Sequence, residues 1–93
     1  NSFIANHNAL TGSWDFTAQT NLIVLHLHSN SISSVNVSGL TNLQYLYLTA
    51  NTLSGSYDFS SNTALRDLQV HYNSITSINA SNLTFLQTLY VHS

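Results

Sequence analysis

The sequence predicts a repeat solenoid of the α/β class, here mostly β: a parallel sheet of five strands on one face, short second strands on the other, and little or no helix. Three observations carry this. An Asn recurs at 8, 30, 51 and 73, at separations of 22, 21 and 22 residues. Apolar residues two apart precede each Asn, and a longer period of 43 residues lies over the first. A fixed period in this range means stacked coils, each burying its apolar side against the next, rather than a globular domain.

The strands come first. The clearest copy of the frame is LQYLYLTANTL from Leu43; the others are LIVLHLHSNSI from Leu22, LRDLQVHYNSI from Leu65 and a shorter LQTLYVHS from Leu86. The opening FIANHNAL fits with Phe3 and Ala5 in the two apolar slots. Alternation at a period of two marks a half-buried strand, so the paired apolar residues point inward and their neighbours outward. Five such strands, centred near Ile4, His26, Tyr47, Gln69 and Tyr90, should stack about 4.8 Å apart.

The far side of each coil repeats the alternation in Trp14-Asp15-Phe16, Val35-Asn36-Val37, Tyr57-Asp58-Phe59 and Ile78-Asn79-Ala80, which predicts a second short ladder. Ser, Thr, Gly and Asn fill the corners, where turn chemistry is needed. Coils alternate in two kinds: LTGSWDFTAQTNL matches LSGSYDFSSNTAL, and ISSVNVSGLTNL matches ITSINASNLTFL, each 43 residues on. Aromatic pairs in the first kind face smaller Val, Ile and Ala in the second, and Leu40 and Leu83 stand where the first kind has Gln19 and Asn62. Large should interdigitate with small.

The frame LxxLxLxxNxL resembles the leucine-rich-repeat family, and the apolar-Asp/Asn-apolar element is similar to the second half of its short bacterial class. The resemblance covers nearly the whole chain and implies a single leucine-rich-repeat coil over residues 1–93, four repeats and a fifth strand long. The chain opens inside one strand motif and closes inside another; the expectation is a segment of a longer array or a unit that stacks head to tail.

Only Asp15, Asp58, Arg66 and Asp67 are charged, 4% of the chain against roughly 25% in ordinary domains. Polarity comes from 15 Ser, 10 Thr and 12 Asn. There is no basic patch for phosphates and no basic amphipathic face or apolar run of about 18 residues for a membrane, so neither nucleic-acid binding nor membrane insertion is expected. Without Cys there is no disulfide, thiolate metal site or thiol nucleophile.

The recurring Asn8, Asn30, Asn51 and Asn73 are read as a structural ladder, in which a buried amide satisfies backbone groups where the chain turns inward; each group left unpaired costs about 1 to 3 kcal/mol. The candidate binding face is the outward side of the strands: His26, His28, Tyr45, Tyr47, Asp67, Gln69, His71, Tyr90 and His92. All five His lie on or beside it, counting His7 at its margin. His71 and His92 share a slot on adjacent strands and His26 and His28 are two apart on one. A closed zinc site wants four ligands and Asp67 is the only nearby carboxylate, so no metal and no cofactor are expected.

Asp15 and Asp58 are two coils apart, roughly 10 Å at sheet spacing, and are read as turn or ladder residues rather than an acid/base pair. No nucleophile elbow or oxyanion-hole motif accompanies the abundant Ser and His, and no enzyme activity is expected. Sequons occur at Asn36, Asn79 and Asn82, and are relevant where a secretory route glycosylates them. The expected function is that of an extracellular or cell-surface structural and interaction protein, assembling with itself head to tail into a filament or by lateral stacking. The alternative is a glycan- or peptide-recognition module of a larger secreted or surface protein, with Tyr supplying rigid contact area.

Overall fold

The computed structural model describes residues 2–5 and 9–90, all strand, turn and loop. Five three-residue strands, β1 (Ser2–Ile4), β3 (Val24–His26), β5 (Tyr45–Tyr47), β7 (Asp67–Gln69) and β9 (Thr88–Tyr90), form one sheet in the order β1-β3-β5-β7-β9. Every pairing is parallel and in register, so Leu25, Leu46, Leu68 and Leu89 form one row. The intervening arcs are β2 (Thr11–Asp15), β4 (Ser31–Asn36), β6 (Ser54–Asp58) and β8 (Ser74–Asn79).

The strands sit slightly earlier than the alternation predicts. Ile4, His26, Tyr47, Gln69 and Tyr90 end them, and Phe3 and the four Leu occupy the centres. Past each strand end the ladder goes on through the loop: Leu27 N–H donates to Tyr47 C=O at 2.8 Å and Ser29 N–H to Thr49 C=O at 2.9 Å. Leu48 and Ala50 repeat this toward Gln69 and His71. The outward columns therefore continue beyond the strands that define them.

Inside, each middle coil delivers three residues of the frame to the core: Leu22, Leu25, Leu27; Leu43, Leu46, Leu48; Leu65, Leu68, Val70. Ile32, Leu40, Leu53, Phe16 and Phe59 close it from the far side. Full burial of a Leu or Phe side chain is worth roughly 1.5 to 3 kcal/mol, and a single coil can collect this only from neighbours above and below.

The second ladder differs from the expectation. It is two separate two-stranded sheets, β2 with β4 and β6 with β8. The first kind of coil carries a glycine in the arc, Gly12 or Gly55, at φ +80 and +83, where an L side chain is strained. Pairing to the following arc survives by a register shift at Gly12/Ser13 and again at Gly55/Ser56. Toward the next coil Thr52 takes over: its N–H and its hydroxyl both donate to Ile32 C=O, at 3.0 and 2.9 Å. Trp14 faces Val35 and Tyr57 faces Ile78, with Trp14 stacked on Phe16 and Tyr57 on Phe59 at centroid distances of 6.2 and 6.0 Å. Large does meet small within each couplet.

Candidate functional site

The site rests on the Asn ladder. Asn51 Nδ2 donates to Leu48 C=O in its own coil and to Leu27 C=O in the preceding one, both at 3.0 Å, while its Oδ1 accepts from Ile32 N–H at 3.1 Å. Asn73 repeats the set on Val70, Leu48 and Leu53, and Asn30 on Leu27, Ala5 and Leu10. All three side chains are buried. Leu27 and Leu48 carbonyls each receive two amides, so the ladder ties every coil to its neighbour just behind the strand face. The residue before each Asn, namely Ser29, Ala50 or Tyr72, has φ near +60. This left-handed turn is unfavourable for an L residue, and it aims the amide inward. Asn8 lies outside the described residues.

Above this support, His26, His28, Tyr47, Thr49, Gln69 and His71 line an open depression of about 430 Å³ spanning three adjacent strands. Tyr47 donates its hydroxyl to Asp67 Oδ2 at 2.9 Å, and Gln69 Nε2 donates to Asp67 Oδ1 at 3.2 Å. Burial, and after it the bond to Asp67, push the Tyr47 phenol up to about 12. Asp67 is thus satisfied from two sides beside the depression. The His26 ring meets His28 at 4.3 Å and the Tyr47 ring edge-on at 4.8 Å between centroids. His71 lies 3.3 Å from Thr49 Oγ1 through Nδ1, and its ring meets Tyr90 at 5.4 Å.

Of the residues expected on this face, His26, His28, Tyr47, Gln69 and His71 converge. Asp67 and Tyr45 stand one column away, opposite each other, and Tyr90 lies on the neighbouring strand. His92 is outside the described residues. Thr49 was absent from the expected set although it shares a column with His28 and His71; a Thr gives no signal of its own in so hydroxyl-rich a chain. Among the described residues no three His, Cys, Asp or Glu side chains gather to hold one ion.

The remaining candidates sit in turns. Asn36 Oδ1 accepts from Ser38 N–H at 3.1 Å, and Asn79 Oδ1 from Ser81 N–H and hydroxyl at 3.0 and 2.7 Å. Asp15 and Asp58 make the same turn with Thr17 and Ser60, and the side-chain bonds from these residues hold both carboxyls below the usual carboxylate range. Asn-x-Ser and Asp-x-Ser/Thr are therefore one corner built four times. Asn82, at φ +68, occupies the turn position that Gly39 fills one couplet earlier. Sequence reading also passed over Asn62, fully buried with Nδ2 on Val37 C=O at 2.8 Å and Oδ1 without a partner.

The frame, the Asn ladder and the strand face decide the comparison with known families: residues 20–62 match the model described as Leucine Rich repeats (2 copies). Residues 20–62, a little under half of the chain, are similar to leucine-rich repeats, and the segments on either side repeat the same frame. The matched segment contains two of the coils described above, including β3, β5 and most of the depression's wall. Comparisons with curated proteins and with solved structures return no match. Among the described residues no helix is long and apolar enough to cross a membrane.

Proposed function

We propose that this leucine-rich-repeat coil is a non-enzymatic interaction module of the cell surface or extracellular space, with the outward strand face as its recognition surface. One observation carries the reading: six side chains from three strands line a single depression with neutral donors, acceptors and aromatic edges, and the one nearby carboxylate is already hydrogen-bonded. Such a surface suits an uncharged polar ligand, a peptide backbone or a glycan. Tyr offers rigid area with a polar tip at small entropic cost. Sparse charge and the exposed sequon residues Asn36, Asn79 and Asn82 support the extracellular setting, and sugar on them would add a mass increment to the native material.

The test is binding to peptide and glycan arrays by the wild type and by Tyr47→Ala/Tyr90→Ala, with circular dichroism as a control for folding. Loss of binding with the fold intact supports the strand face. Unaltered binding moves recognition elsewhere.

A second reading is stacking of copies. Phe3 and Ile4 at one outer coil and Phe85 and Leu89 at the other are exposed; in a longer array further coils would cover them, and between separate copies they would meet each other. Electron microscopy at high concentration distinguishes filaments from compact monomers.

A further inference from the structure

We propose that the strand-face depression takes a neutral saccharide, whose hydroxyls donate to Tyr47 and Gln69 while an apolar face of the sugar ring rests on Tyr72. The inference rests on the recognition role proposed above and names the chemistry of its ligand.

Asp67 sets the polarity of one wall. A carboxylate accepts hydrogen bonds and donates none, so the groups beside it turn their donors toward it. Tyr47 has a single hydroxyl proton and commits it to Asp67 Oδ2 at 2.9 Å. The Gln69 amide turns Nε2 to the same carboxylate, 3.2 and 3.5 Å from its two oxygens, which leaves Oε1 on the side away from it. Among the described residues no donor reaches Gln69 Oε1 or the Tyr47 oxygen. Both residues line the depression. A ligand there meets two acceptors, and the carboxylate behind them disfavours an anion. An extended peptide answers this poorly, because each residue presents its N–H and its C=O along the same edge and brings a carbonyl against the acceptors with every donor. Neighbouring hydroxyls of a pyranose can both donate.

A second observation is aromatic and independent of the first. On the β7 side of the depression the His71 ring meets the Tyr72 ring at 4.7 Å and the Tyr90 ring at 5.4 Å between centroids. Tyr72 is 62% exposed and stands in left-handed backbone at φ 58, a conformation that is costly for a bulky residue. Ser29 and Ala50 fill the same slot in the preceding coils, so the coil itself does not call for a ring there. An exposed ring kept at a strained position points to a contact outside the chain. The face of a tyrosine ring is electron-rich and attracts the polarised C–H groups of a sugar.

The experiment is a nuclear magnetic resonance titration of the isotope-labelled folded chain at neutral pH with methyl glucopyranoside, methyl galactopyranoside and methyl glucuronide. At least one neutral glycoside should shift the signals of Tyr47, Gln69, His71 and Tyr72. Tyr72→Ser, which installs the residue already present at Ser29, should weaken that binding about tenfold without lowering the melting temperature. The glucuronide should bind about tenfold more weakly than the better neutral glycoside. In Asp67→Asn, which keeps the shape, removes the charge and brings a donor of its own, that ratio should fall toward one. Silence with both neutral glycosides, unchanged affinity in Tyr72→Ser, a glucuronide bound as tightly as the neutral sugars, or a ratio unmoved in Asp67→Asn overturns the proposal. Silence with glycosides while the strand face still binds arrayed peptides overturns the saccharide and leaves the recognition surface standing. Array binding unaltered in Tyr47→Ala/Tyr90→Ala overturns both.

Discussion

The Tyr47 hydroxyl donates to Asp67 Oδ2 at 2.9 Å across two neighbouring strands, joining the residue that ends β5 to the one that begins β7. The two belong to different columns of the sheet, so the bond runs diagonally, within reach for a long side chain. It keeps a carboxylate satisfied on a face otherwise made of neutral groups.

The first prediction concerns alkaline pH. The Tyr47 phenol is raised from 10.0 to about 12, by burial first and the Asp67 bond second. Because the folded value lies above the unfolded one, the neutral phenol's contribution is fully present below pH 10 and is lost as pH rises through about 12. Ultraviolet titration should show a late tyrosine at about pH 12 that is missing in Tyr47→Phe, while Tyr57, raised by burial, remains. That variant should lose about 1 kcal/mol at neutral pH in urea denaturation and show less loss of stability above pH 10 than the wild type.

Asn51→Leu should destabilise by about 1 to 3 kcal/mol without changing the outward residues. Ile32 N–H loses its acceptor, whereas Leu27 and Leu48 carbonyls each retain a second amide, from Asn30 and Asn73. A shift of the denaturation midpoint with an unchanged slope is the expected reading. No change would mean that the ladder does not hold the coils together.

Asn62→Leu should go the other way, neutral or stabilising by up to about 1 kcal/mol. The carbonyl oxygen of Asn62 has no partner. Val37 C=O, which would lose the amide, still accepts from Leu40 N–H. Leu already stands at this position in the alternate coils. Thermal melts of the variant and of Asn62→Ala, expected to be destabilised by its cavity, separate relief of the orphaned group from simple deletion.

Backbone strain supplies an opposed pair. Ala50→Gly relieves a left-handed residue at φ 60 and should stabilise by about 0.5 to 1 kcal/mol. Gly55→Ala puts a side chain at φ +83, where the added Cβ meets nothing within 4 Å, so its cost is conformational alone, about 1 to 2 kcal/mol. Equal melting temperatures for both variants would contradict this division.

The solenoid was legible because its determinants are local and repeated. Alternating Leu, an Asn every 21 or 22 residues and the small corner residues each state the same coil four times, and period alone orders the columns in which His28, Thr49 and His71 succeed one another. Tertiary structure decided what depends on distances between coils. The strand centres moved to the Leu row because burial of Leu25, Leu46 and Leu68 sets the pleat, and alternation cannot say which of two adjacent residues is central. The far ladder split into couplets in which Ser33 and Thr76 are passed over in the pairing, a feature that appears only when one arc is laid beside another. The convergence of His26, His28 and His71 around one depression, and the diagonal bond from Tyr47 to Asp67, depend on side-chain reach across strands. Columns are fixed by sequence period; which members of neighbouring columns touch is fixed by the rotamers that packing permits.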